Sequence, residues 1–430
     1  MISLCARTGF GYTKPTAFAR SDKGVSMTDK KVIAVIFGGR SVEHDVSILT
    51  GLQFIEALDS TLYEGLPVYV DPLGQWWTGD ALRKRSNYPV SHETQLMQLT
   101  LDLAATATDR PRFMTQKKGL LGEKTEYLPF DLMVPAIHGS NGEDGTLQGL
   151  LEFAGIPFAG CRSLGAAATM NKQFAKSVAR QKGLNVLPEL TVTKPEKGSF
   201  LDPDTLSQQL TEALGDSCFP VIAKPSNLGS SVGVSKADDL DGLVAALMAI
   251  FRLDGSAIVE PFVPNLVEYN VAVRRNTILA VETSAIERPS SKTDVLDFKN
   301  KYLAGGEPGG PKLDTGPSEG MASLNRVLNP EELTPAQEAT IRDTSVAVFE
   351  ALVLSGSVRI DFLCDSKTGE LWFNEANTIP GSFAYFLWEA ADPSVSFLKL
   401  TGDMVEEGFR LSADRLGSTD AASGGATIFA

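Results

Sequence analysis

The first apolar run of the chain, KVIAVIF from Lys31 to Phe37, is continuous rather than alternating, which is typical of a strand buried on both faces. Gly38 and Gly39 follow it, and then a helical pattern extends through Val46 to Leu58. A second apolar run, LPFDLMVPAIHG, is interpreted as one buried strand, and its glycine-rich exit leads to a predicted helix from Thr146 to Ala154. Strand, glycine turn and helix in this order predict an α/β layer structure.

Strand and helix patterns continue through the middle of the chain. A helix is predicted from Lys172 to Gly183, and LPELTVTK, CFPVIAKP, SAIVEPFV and VEYNVAVRR have the patterns of strands. GVSKADDLDGLVAALMAIF predicts a strand, a loop and a helix. The stretch from Asp297 to Asn329 is rich in glycine and proline, and a stretch of this length is typical of a functional lid or a disordered segment. A helix from Pro335 to Leu354 follows it.

The last two strand patterns carry polar residues where apolar ones would be expected. RIDFL and LWFNEAN are joined by the turn-forming sequence DSKTG, which predicts a β-hairpin. Because side chains alternate along a strand, Arg359 and Asp361 share a face of the first strand, and Glu375 and Asn377 share a face of the second.

Two interpretations of this hairpin remain open. Carboxylate and amide oxygens close together suit Mg²⁺ that also holds substrate phosphates, and Arg359 would then stabilise developing negative charge. Alternatively, Arg359 forms a buried salt bridge with Asp361 or Glu375, and Asn377 caps it. Buried ion pairs stabilise a fold only weakly, so several of them on one hairpin favour the functional interpretation.

Two further stretches are candidates for nucleotide binding. KPSNLGSSVGV, from Lys224 to Val234, combines a lysine with glycines whose backbone N–H groups could approach phosphate oxygens, although such a loop can also be an ordinary turn. Glu260 lies at a predicted strand end and Glu268 at the start of the next strand. These carboxylates could accept hydrogen bonds from an adenine amine or a ribose, or they could be solvated strand-end acids.

Two motifs near the N-terminus are candidates for substrate binding. GGRSVEHDVS places Glu43 at a helix N-terminus, where the helix dipole favours a carboxylate and where Glu43 could instead bind a substrate ammonium, with Ser47 nearby. His138 ends a predicted strand, which is where open α/β sheets bind ligands.

Composition narrows the class of protein. A chain of 430 residues is long enough for two or three domains, and 43% hydrophobic with 21% charged residues is typical of a soluble globular protein. The net charge of -14 argues against nucleic acid or an anionic membrane as the main partner, and the apolar runs are too short for a membrane span. The four cysteines show no CxxC pair and the N-terminus shows no secretory pattern, so a reducing, cytoplasmic setting is expected.

Eight stretches occur in an order that resembles the successive motifs of the D-alanine–D-alanine ligases, a family of the ATP-grasp superfamily. They are FGGRSVEHDVS, HGSNGEDGTLQGLLEFAGIPFAG, MNK, KPSNLGSSVGV, EYNVAV, KYL, RIDF and NEANTIPG. The resemblance covers the chain from Lys31 to about Glu407 and implies an α/β, three-domain ATP-grasp architecture. The implied parts are a flexible N-terminal extension (1–29), an N-terminal substrate-binding, Rossmann-like α/β domain (30–168), a central ATP-grasp domain (169–263), a C-terminal ATP-grasp catalytic domain (264–411) and a disordered tail (412–430).

The resemblance also implies a reaction. ATP phosphorylates the carboxylate of a first D-alanine, and the amine of a second D-alanine attacks the acylphosphate, giving D-alanyl-D-alanine for peptidoglycan precursors. ATP with two Mg²⁺ or Mn²⁺ ions is the expected cofactor set, and a homodimer is expected. The alternatives are a ligase of the same family with a different acceptor amino acid or hydroxy acid, and a non-catalytic ATP-binding protein.

Roles for individual residues follow from the resemblance motif by motif. By role, they are Glu43, Ser230, Tyr302 and Arg359 for catalysis; Lys172, Lys224, Ser230, Glu260 and Glu268 for ATP; Glu43, His138, Arg359 and Gly381 for the amino acid substrates; and Asp361, Glu375 and Asn377 for the metal ions. Tyr302, in the KYL motif, is expected to reach toward Glu43 and Ser230, and it favours a dipeptide over a depsipeptide product.

The chain departs from the family pattern on the acceptor side of the site. Typical members have a serine five positions after the glycine of the NxxPG motif, and this serine helps to anchor the carboxylate of the second substrate. Counted from Gly381, this position is Phe386, so either the pocket for the acceptor amino acid is reshaped, or Ser382 or a backbone N–H substitutes for the serine. The segment after KYL is also longer than in compact members, and it adds Lys312 and Arg326 as candidates for phosphate or carboxylate contact.

Overall fold

The computed structural model describes residues 30–90, 95–105, 110–119, 122–197, 201–289 and 326–423, which form three β-sheets with flanking helices. Each sheet lies within one of the three residue ranges expected for the domains. The expected N-terminal extension and residues 297–325 of the expected lid segment lie outside the described residues.

The N-terminal sheet has seven strands in the order β6-β5-β4-β3-β2-β1-β7. They are β1 (Lys31–Gly38), β2 (Tyr63–Val70), β3 (Trp76–Thr78), β4 (Met97–Leu101), β5 (Arg112–Gly119), β6 (Gly122–Pro129) and β7 (Leu132–Pro135). β1 pairs in parallel with β2 and β7, whereas β2 to β6 pair antiparallel. The prediction of a single strand for LPFDLMVPAIHG is wrong, because the chain turns at Asp131, whose carboxylate accepts a hydrogen bond from the Val32 N–H.

Three helices belong to this part of the chain: α1 (His44–Ala57), α2 (Thr146–Phe153) and α3 (Ser163–Met170). α1 follows β1 through Gly38, which has a φ of +90°. A Cβ atom at Gly38 would lie 2.3 Å from the Val70 carbonyl oxygen, so only glycine permits this close passage from strand to helix. The turn fixes the start of α1, and thus Glu43, at the carboxyl end of β1.

The central sheet is antiparallel, with the strand order β10-β9-β11-β8. Its elements are α4 (Lys172–Gln181), β8 (Leu190–Thr193), α5 (Pro203–Leu214), β9 (Val221–Pro225), β10 (Ser235–Ala237), α6 (Leu240–Ile250) and β11 (Ser256–Pro261). Val221 and Ala223 of β9 pack into the apolar cluster with α5 and α6. The alternate residue Lys224 therefore faces the opposite side of the sheet, which lines a cleft.

The C-terminal sheet has the order β14-β13-β12-β15-β16. Its elements are β12 (Leu266–Arg275), β13 (Val281–Pro289), β14 (Arg326–Leu328), α7 (Pro335–Ala351), β15 (Val358–Asp365) and β16 (Leu371–Asn377), and α8 (Tyr385–Glu389) and α9 (Phe397–Ser423) follow. One face, with Val271, Ile360 and Phe362, packs against α7 in an apolar cluster. The other face is polar and is covered in part by α8.

The chain ends in α9, which has 27 residues and runs to Ser423. The prediction of a disordered tail from residue 412 is therefore wrong as far as Ser423, because extending an established helix costs much less free energy than starting one, even through small residues. No helix in the described part of the chain is both long and apolar enough to cross a membrane.

Candidate active site

The polar face of the C-terminal sheet brings the residues of the predicted hairpin together. Asp361 on β15 pairs directly with Glu375 on β16, and Arg359 pairs with Asn377. Directly paired residues of antiparallel strands project from the same face, so all four side chains lie on one side of the sheet, as the sequence predicted.

A β-bulge adds a fifth polar residue to this face. The register shifts between Asp361, which pairs with Glu375, and Phe362, which pairs with Phe373, so Asn374 is an extra residue on β16. The Asn374 amide oxygen accepts a hydrogen bond of 3.0 Å from Lys224 Nζ. Asn374 and Glu375 therefore both line the cleft although they are consecutive. Strict alternation, on which the sequence analysis depended, does not predict this.

Arg359 and Asp361 form a buried, bidentate ion pair. Arg359 Nε and Nη2 each donate a hydrogen bond of 2.7 Å to the Asp361 carboxylate, and Asn377 Nδ2 donates a third at 2.9 Å. This is the salt bridge with an Asn377 cap that the sequence left as the structural alternative. It fixes the orientation of all three side chains beside Glu375.

Asp361, Glu375 and Asn377 are chemically suited to Mg²⁺. Their ligand atoms are hard oxygens, and Mg²⁺ is commonly held by one or two carboxylates together with water and substrate phosphates. Glu375 Oε2 lies 3.2 Å from Lys172 Nζ, so a cationic group already occupies its immediate surroundings. The described residues contain no group of three or more His, Cys, Asp or Glu placed to hold a metal, so any ion here depends on this smaller set.

Two lysines flank Glu260 in the cleft. Lys224 Nζ lies 2.7 Å from Glu260 Oε2, and the fully buried Lys176 forms an ion pair with Glu260 Oε1. Burial alone would raise the pKa of Glu260, but the two lysines lower it to about 2. Burial lowers the pKa of Lys176 to about 8, against the opposing effect of Glu260. Burial also disfavours the charged form of Lys224. The interactions of Lys224 with Glu260 and Glu375 outweigh this effect, so the pKa of Lys224 is raised.

Lys176 was not identified from the sequence. It lies four positions after Lys172, and this spacing places both lysines on the same face of α4. That spacing was the available signal, but the partner, Glu260, is 84 positions away and only the fold brings it close.

A cleft with one apolar wall and polar ends lies between the central and C-terminal sheets. Apolar side chains line much of it: Leu187, Ile222, Leu228, Phe262, Val263, Leu266 and Leu363. Four of the five residues expected to contact ATP also border it, namely Lys172, Lys224, Glu260 and Glu268. Such a slot has the chemistry of a site for a purine ring attached to charged phosphates.

Ser230 joins the central part of the chain to the N-terminal sheet. The Ser230 hydroxyl donates a hydrogen bond to Glu43 Oε1, and both residues are buried. Ser230 has a φ of +53° in the glycine-rich loop after β9. Ser41 supports Glu43, because the Ser41 hydroxyl accepts a hydrogen bond of 3.1 Å from the Glu43 N–H and donates one to the His138 carbonyl.

His138 is buried beside this carboxylate. Its Nε2 shares a hydrogen bond of 2.8 Å with the Thr50 hydroxyl. Burial, reinforced by the positive charge of Arg359, lowers the pKa of His138 to about 3. His138 is therefore a neutral polar group at physiological pH, which suits a pocket wall rather than an anion site.

Ser47 has a structural role. Its buried hydroxyl donates a hydrogen bond of 2.7 Å to the Ala136 carbonyl and accepts one of 2.8 Å from the Gly38 N–H. Both bonds join α1 to the strand region beneath it, and the Ser47 N–H donates to the Glu43 carbonyl at 3.0 Å, so Ser47 lies one helical turn from Glu43.

Glu143 is a second buried carboxylate that the sequence analysis did not single out. It accepts hydrogen bonds from the Gly139 N–H at 2.8 Å and the Ile379 N–H at 3.0 Å. Burial and then the nearby charge of Glu43 raise its pKa to about 8. Glu143 thus connects the glycine-rich loop after β7 to the NTIPG loop of the C-terminal sheet. The feature of the sequence that could have identified it is an acidic residue in a glycine-rich loop after a strand.

The chain after Gly381 makes a tight left-handed turn. Ser382, Phe383 and Ala384 have φ values of +53°, +53° and +55°, which non-glycine residues rarely adopt. The Ser382 hydroxyl donates to Gln53 Oε1, and its N–H donates to the Thr50 hydroxyl at 3.1 Å. The expected substitution by the Ser382 hydroxyl is therefore not supported, because this hydroxyl anchors the turn to α1.

Phe386 lies against Arg326 at the edge of the same polar face. The guanidinium carbon of Arg326 is 3.6 Å from the centre of the Phe386 ring, and Arg326 Nη1 donates a hydrogen bond of 2.9 Å to Glu287. Tyr302 and Lys312, which were also expected on this side, lie outside the described residues.

Comparison with known proteins identifies the family of this chain. A model of the D-ala D-ala ligase N-terminus matches residues 32–161, and a model of the D-ala D-ala ligase C-terminus matches residues 178–406. D-alanine–D-alanine ligase A of Bradyrhizobium diazoefficiens is 34% identical over 83% of this chain and 88% of its own length. The D-alanine–D-alanine ligase of Heliobacterium modesticaldum is 33% identical over 84% of this chain and 90% of its own length.

Two solved structures show the same fold. The D-alanine-D-alanine ligase from Coxiella burnetii superposes with a TM-score of 0.72 at 22% identity, covering 92% of this chain and 99% of that one. The VanG D-Ala:D-Ser ligase from Enterococcus faecalis has a TM-score of 0.67 at 24% identity, covering 88% of this chain and 100% of that one. Both family models and the curated relatives confirm the resemblance seen in the motifs, and the chain belongs to the D-alanine–D-alanine ligase family of ADP-forming, ATP-grasp ligases.

Proposed function

We propose that this protein is a D-alanine–D-alanine ligase, which uses ATP to join two D-alanines into D-alanyl-D-alanine for peptidoglycan precursor synthesis. The observation that carries the proposal is the meeting of three parts of the chain at one site. Glu43 lies at the start of α1, Ser230 lies in the central loop that bonds to it, and Arg359 lies on the polar face of the C-terminal sheet, near enough for its charge to lower the pKa of His138.

In the first step, Glu43 binds the ammonium group of the first D-alanine, and His138 lines its pocket as a neutral group. The carboxylate oxygen of this D-alanine attacks the γ-phosphorus of ATP, the bond to the β–γ bridging oxygen breaks, and ADP leaves with that electron pair. Lys172 and Lys224 contact the phosphates, so their charges favour the transition state. The burial of both lysines supports this role, because fixed charges act strongly where water is excluded.

In the second step, the amine of the second D-alanine attacks the carbonyl carbon of the acylphosphate. The C–O bond to phosphate then breaks, phosphate leaves with the electron pair, and the nitrogen loses a proton to give the peptide. Arg359 and the N–H of Gly381 stabilise the negative charge on the tetrahedral oxygen, and Tyr302 assists from the KYL motif. The chain mainly contributes orientation and charge, because phosphorylation has already activated the carboxylate.

Asp361, Glu375 and Asn377 would hold two Mg²⁺ or Mn²⁺ ions, which supply neutralisation of the phosphate charge when bound. The hard oxygens of these three residues and the cationic groups beside them support this assignment. Glu260 and Glu268 would bind the adenine and the ribose, since both border the cleft with the apolar wall.

We infer three further properties from the family. The domain boundaries are those given above, except that α9 continues the C-terminal domain to Ser423, the protein is a homodimer, and it acts in the cytoplasm. Cys161, Cys218 and Cys364, which are free thiols, support a reducing setting.

The test is phosphate release from Mg-ATP by the purified full-length protein, screened across D- and L-amino acids and D-lactate, with the products identified by mass. Release that depends on D-alanine, with D-alanyl-D-alanine as the product, is expected. A product that requires a different acceptor would identify a family member with altered acceptor specificity. Release with no pair of substrates would overturn the proposal.

A further inference from the structure

The polar face of the C-terminal sheet continues beyond the hairpin, across two more strands. Asn270 on β12 pairs directly with Asp361 on one side and with Glu287 on β13 on the other. Asn270 Nδ2 donates a hydrogen bond of 3.0 Å to Glu287 Oε1. Neighbouring strands lie about 4.8 Å apart, so Glu287 is two strand spacings from Asp361 along a continuous polar row.

Arg326 ends this row. It lies on β14 at the edge of the sheet, and its bond to Glu287 Oε2 ties it to the row. Its side chain is only 10% exposed. The guanidinium lies over the Phe386 ring, and this contact together with the bond to Glu287 restricts the orientation of the guanidinium. The arrangement is therefore a fixed, buried cationic fork at the site edge.

Arg326 lies close enough to Arg359 for the charges of the two side chains to interact. Burial lowers the pKa of its guanidinium and the nearby positive charge of Arg359 lowers it further, whereas Glu287 opposes both effects. The two arginines therefore lie on one sheet face, and each is already paired with one carboxylate, Arg326 with Glu287 and Arg359 with Asp361. A structural ion pair with Glu287 alone does not require Arg326 to lie near Arg359.

Asn270 provides an independent observation. Its side chain is 3% exposed, and no donor in the described part of the chain reaches its amide oxygen. Because a carboxylate only accepts hydrogen bonds, the nitrogen of Asn270 must face Glu287, and the oxygen is the end without a donor. A buried acceptor of this kind, in register with Asp361, is suited to an N–H group of a ligand.

We propose that Arg326, stacked on Phe386 and oriented by Glu287, binds the carboxylate of the second, acceptor amino acid in this ligase. The inference rests on the proposed function, because it needs a reaction with an amino acid acceptor. The amine and the carboxylate of an amino acid share one carbon, so a carboxylate held at Arg326 keeps the amine close to the end of the polar row that leads through Asn270 to Asp361. The hydroxyl that Phe386 lacks is thus replaced by a cation bound on the phenyl ring.

The test is a competition between two acceptors with the purified full-length enzyme and Mg-ATP. D-alanine and D-alaninamide are supplied together, and D-alanyl-D-alanine and D-alanyl-D-alaninamide are quantified by mass. The product ratio reports only the choice of acceptor, because donor binding, ATP binding and the amount of folded enzyme affect both products equally. The wild type is expected to prefer the acceptor that has a carboxylate.

The Arg326→Ala variant is expected to lose on the order of 10- to 100-fold of this preference, as for the loss of a charged hydrogen-bonded pair. Arg326→Lys keeps the charge without the planar guanidinium, so its preference is expected to lie between those of the wild type and Arg326→Ala. Arg326→Lys also replaces the alanine variant if the latter does not fold. Arg288→Ala is the matched control, because Arg288 lies on the opposite face of β13 and pairs with Glu332 at 2.8 Å.

An unchanged ratio in both Arg326 variants, with product still formed, would overturn the role of Arg326 and leave the proposed function intact. A wild type that forms no product from D-alanine would overturn both.

Discussion

Ser230 and Glu43 are 187 positions apart, and the hydroxyl of the first donates a hydrogen bond to the carboxylate of the second. Ser230 lies in the glycine-rich loop that borders the proposed phosphate site, and Glu43 lies at the start of α1, in the proposed ammonium site. One hydrogen bond therefore connects the loop that would close on ATP to the group that would hold the first D-alanine.

Substitution of Ser230 by alanine tests this connection. Loss of the bond leaves the buried Glu43 less well oriented, so KM for the first D-alanine is expected to rise and kcat to fall, together on the order of 10- to 100-fold in kcat/KM. Steady-state kinetics over a wide range of D-alanine concentration distinguishes the KM for the first D-alanine from the KM for the second. Ser235→Ala, on β10, is the control, and equal kinetics for the two variants would contradict the connection.

Asp361→Asn tests the proposed metal site. The variant keeps the shape of the side chain but removes the charge that would bind the cation, so kcat is expected to fall on the order of 100-fold or more and half-saturation with Mg²⁺ to need higher concentrations. ADP formation over a Mg²⁺ titration and Mn²⁺ binding by electron paramagnetic resonance measure the two effects. Glu370→Gln in the exposed hairpin turn should behave as the wild type. Normal Mn²⁺ binding by Asp361→Asn would rule out this residue as a ligand.

Lys176→Met tests whether the buried ion pair positions the nucleotide site. Lys176 is expected to act through Glu260, which also contacts Lys224, so its loss should raise KM for ATP roughly 10-fold and change kcat little. The KM values for ATP and D-alanine are measured separately. Lys182→Met, exposed just after α4, is the matched control. An effect on stability without any change in KM for ATP would assign Lys176 to the fold alone.

His138 predicts a dependence of stability on pH. The pKa of His138 is about 3 in the folded protein, below the ordinary value of 6.5, so the unfolded chain binds a proton that the folded chain does not. Stability is therefore complete above about pH 6.5 and decreases as the pH falls toward 3, by about 2 kcal/mol at pH 5 from this residue.

The measurement is urea unfolding of the wild type and of His138→Gln at pH 5 and pH 7.5. Glutamine can still pair with the Thr50 hydroxyl but does not titrate, so its free energy of unfolding should fall less than that of the wild type between the two pH values. His44→Gln serves as a control for the loss of a partly exposed histidine. A parallel fall in both His138 forms would show that this imidazole does not contribute.

The sequence predicted those parts of the site that depend on local order. Arg359, Asp361, Glu375 and Asn377 could be assigned to one face because hairpin pairing and strand alternation are local rules. The prediction of a salt bridge and the prediction of a polar platform turned out to be compatible, because the bidentate pair of Arg359 and Asp361 lies within the platform itself.

The missed features depend on contacts between distant parts of the chain or on irregular strands. Glu143 and Lys176 gain their surroundings only when the sheets meet, and no spacing rule gives the partner of either. The antiparallel strands β3 to β6 were missed because β3 has only three residues and the others carry many polar ones, so the apolar period is weak. The contact between Arg326 and Phe386 joins two segments that no sequence pattern predicts to be neighbours.

The bulge at Asn374 adds one residue to β16 without changing which face of the sheet the residues on either side of it occupy. Phe373 packs in the core and Glu375 faces the cleft although they are two positions apart, an arrangement that a regular strand forbids. Without Asn374, Phe373 and Glu375 would be consecutive residues, and a regular strand would place them on opposite faces, as they are now. Asn374 thus adds a contact with Lys224 of the central sheet, while Glu375 and Asn377 keep the face that they share with Asp361.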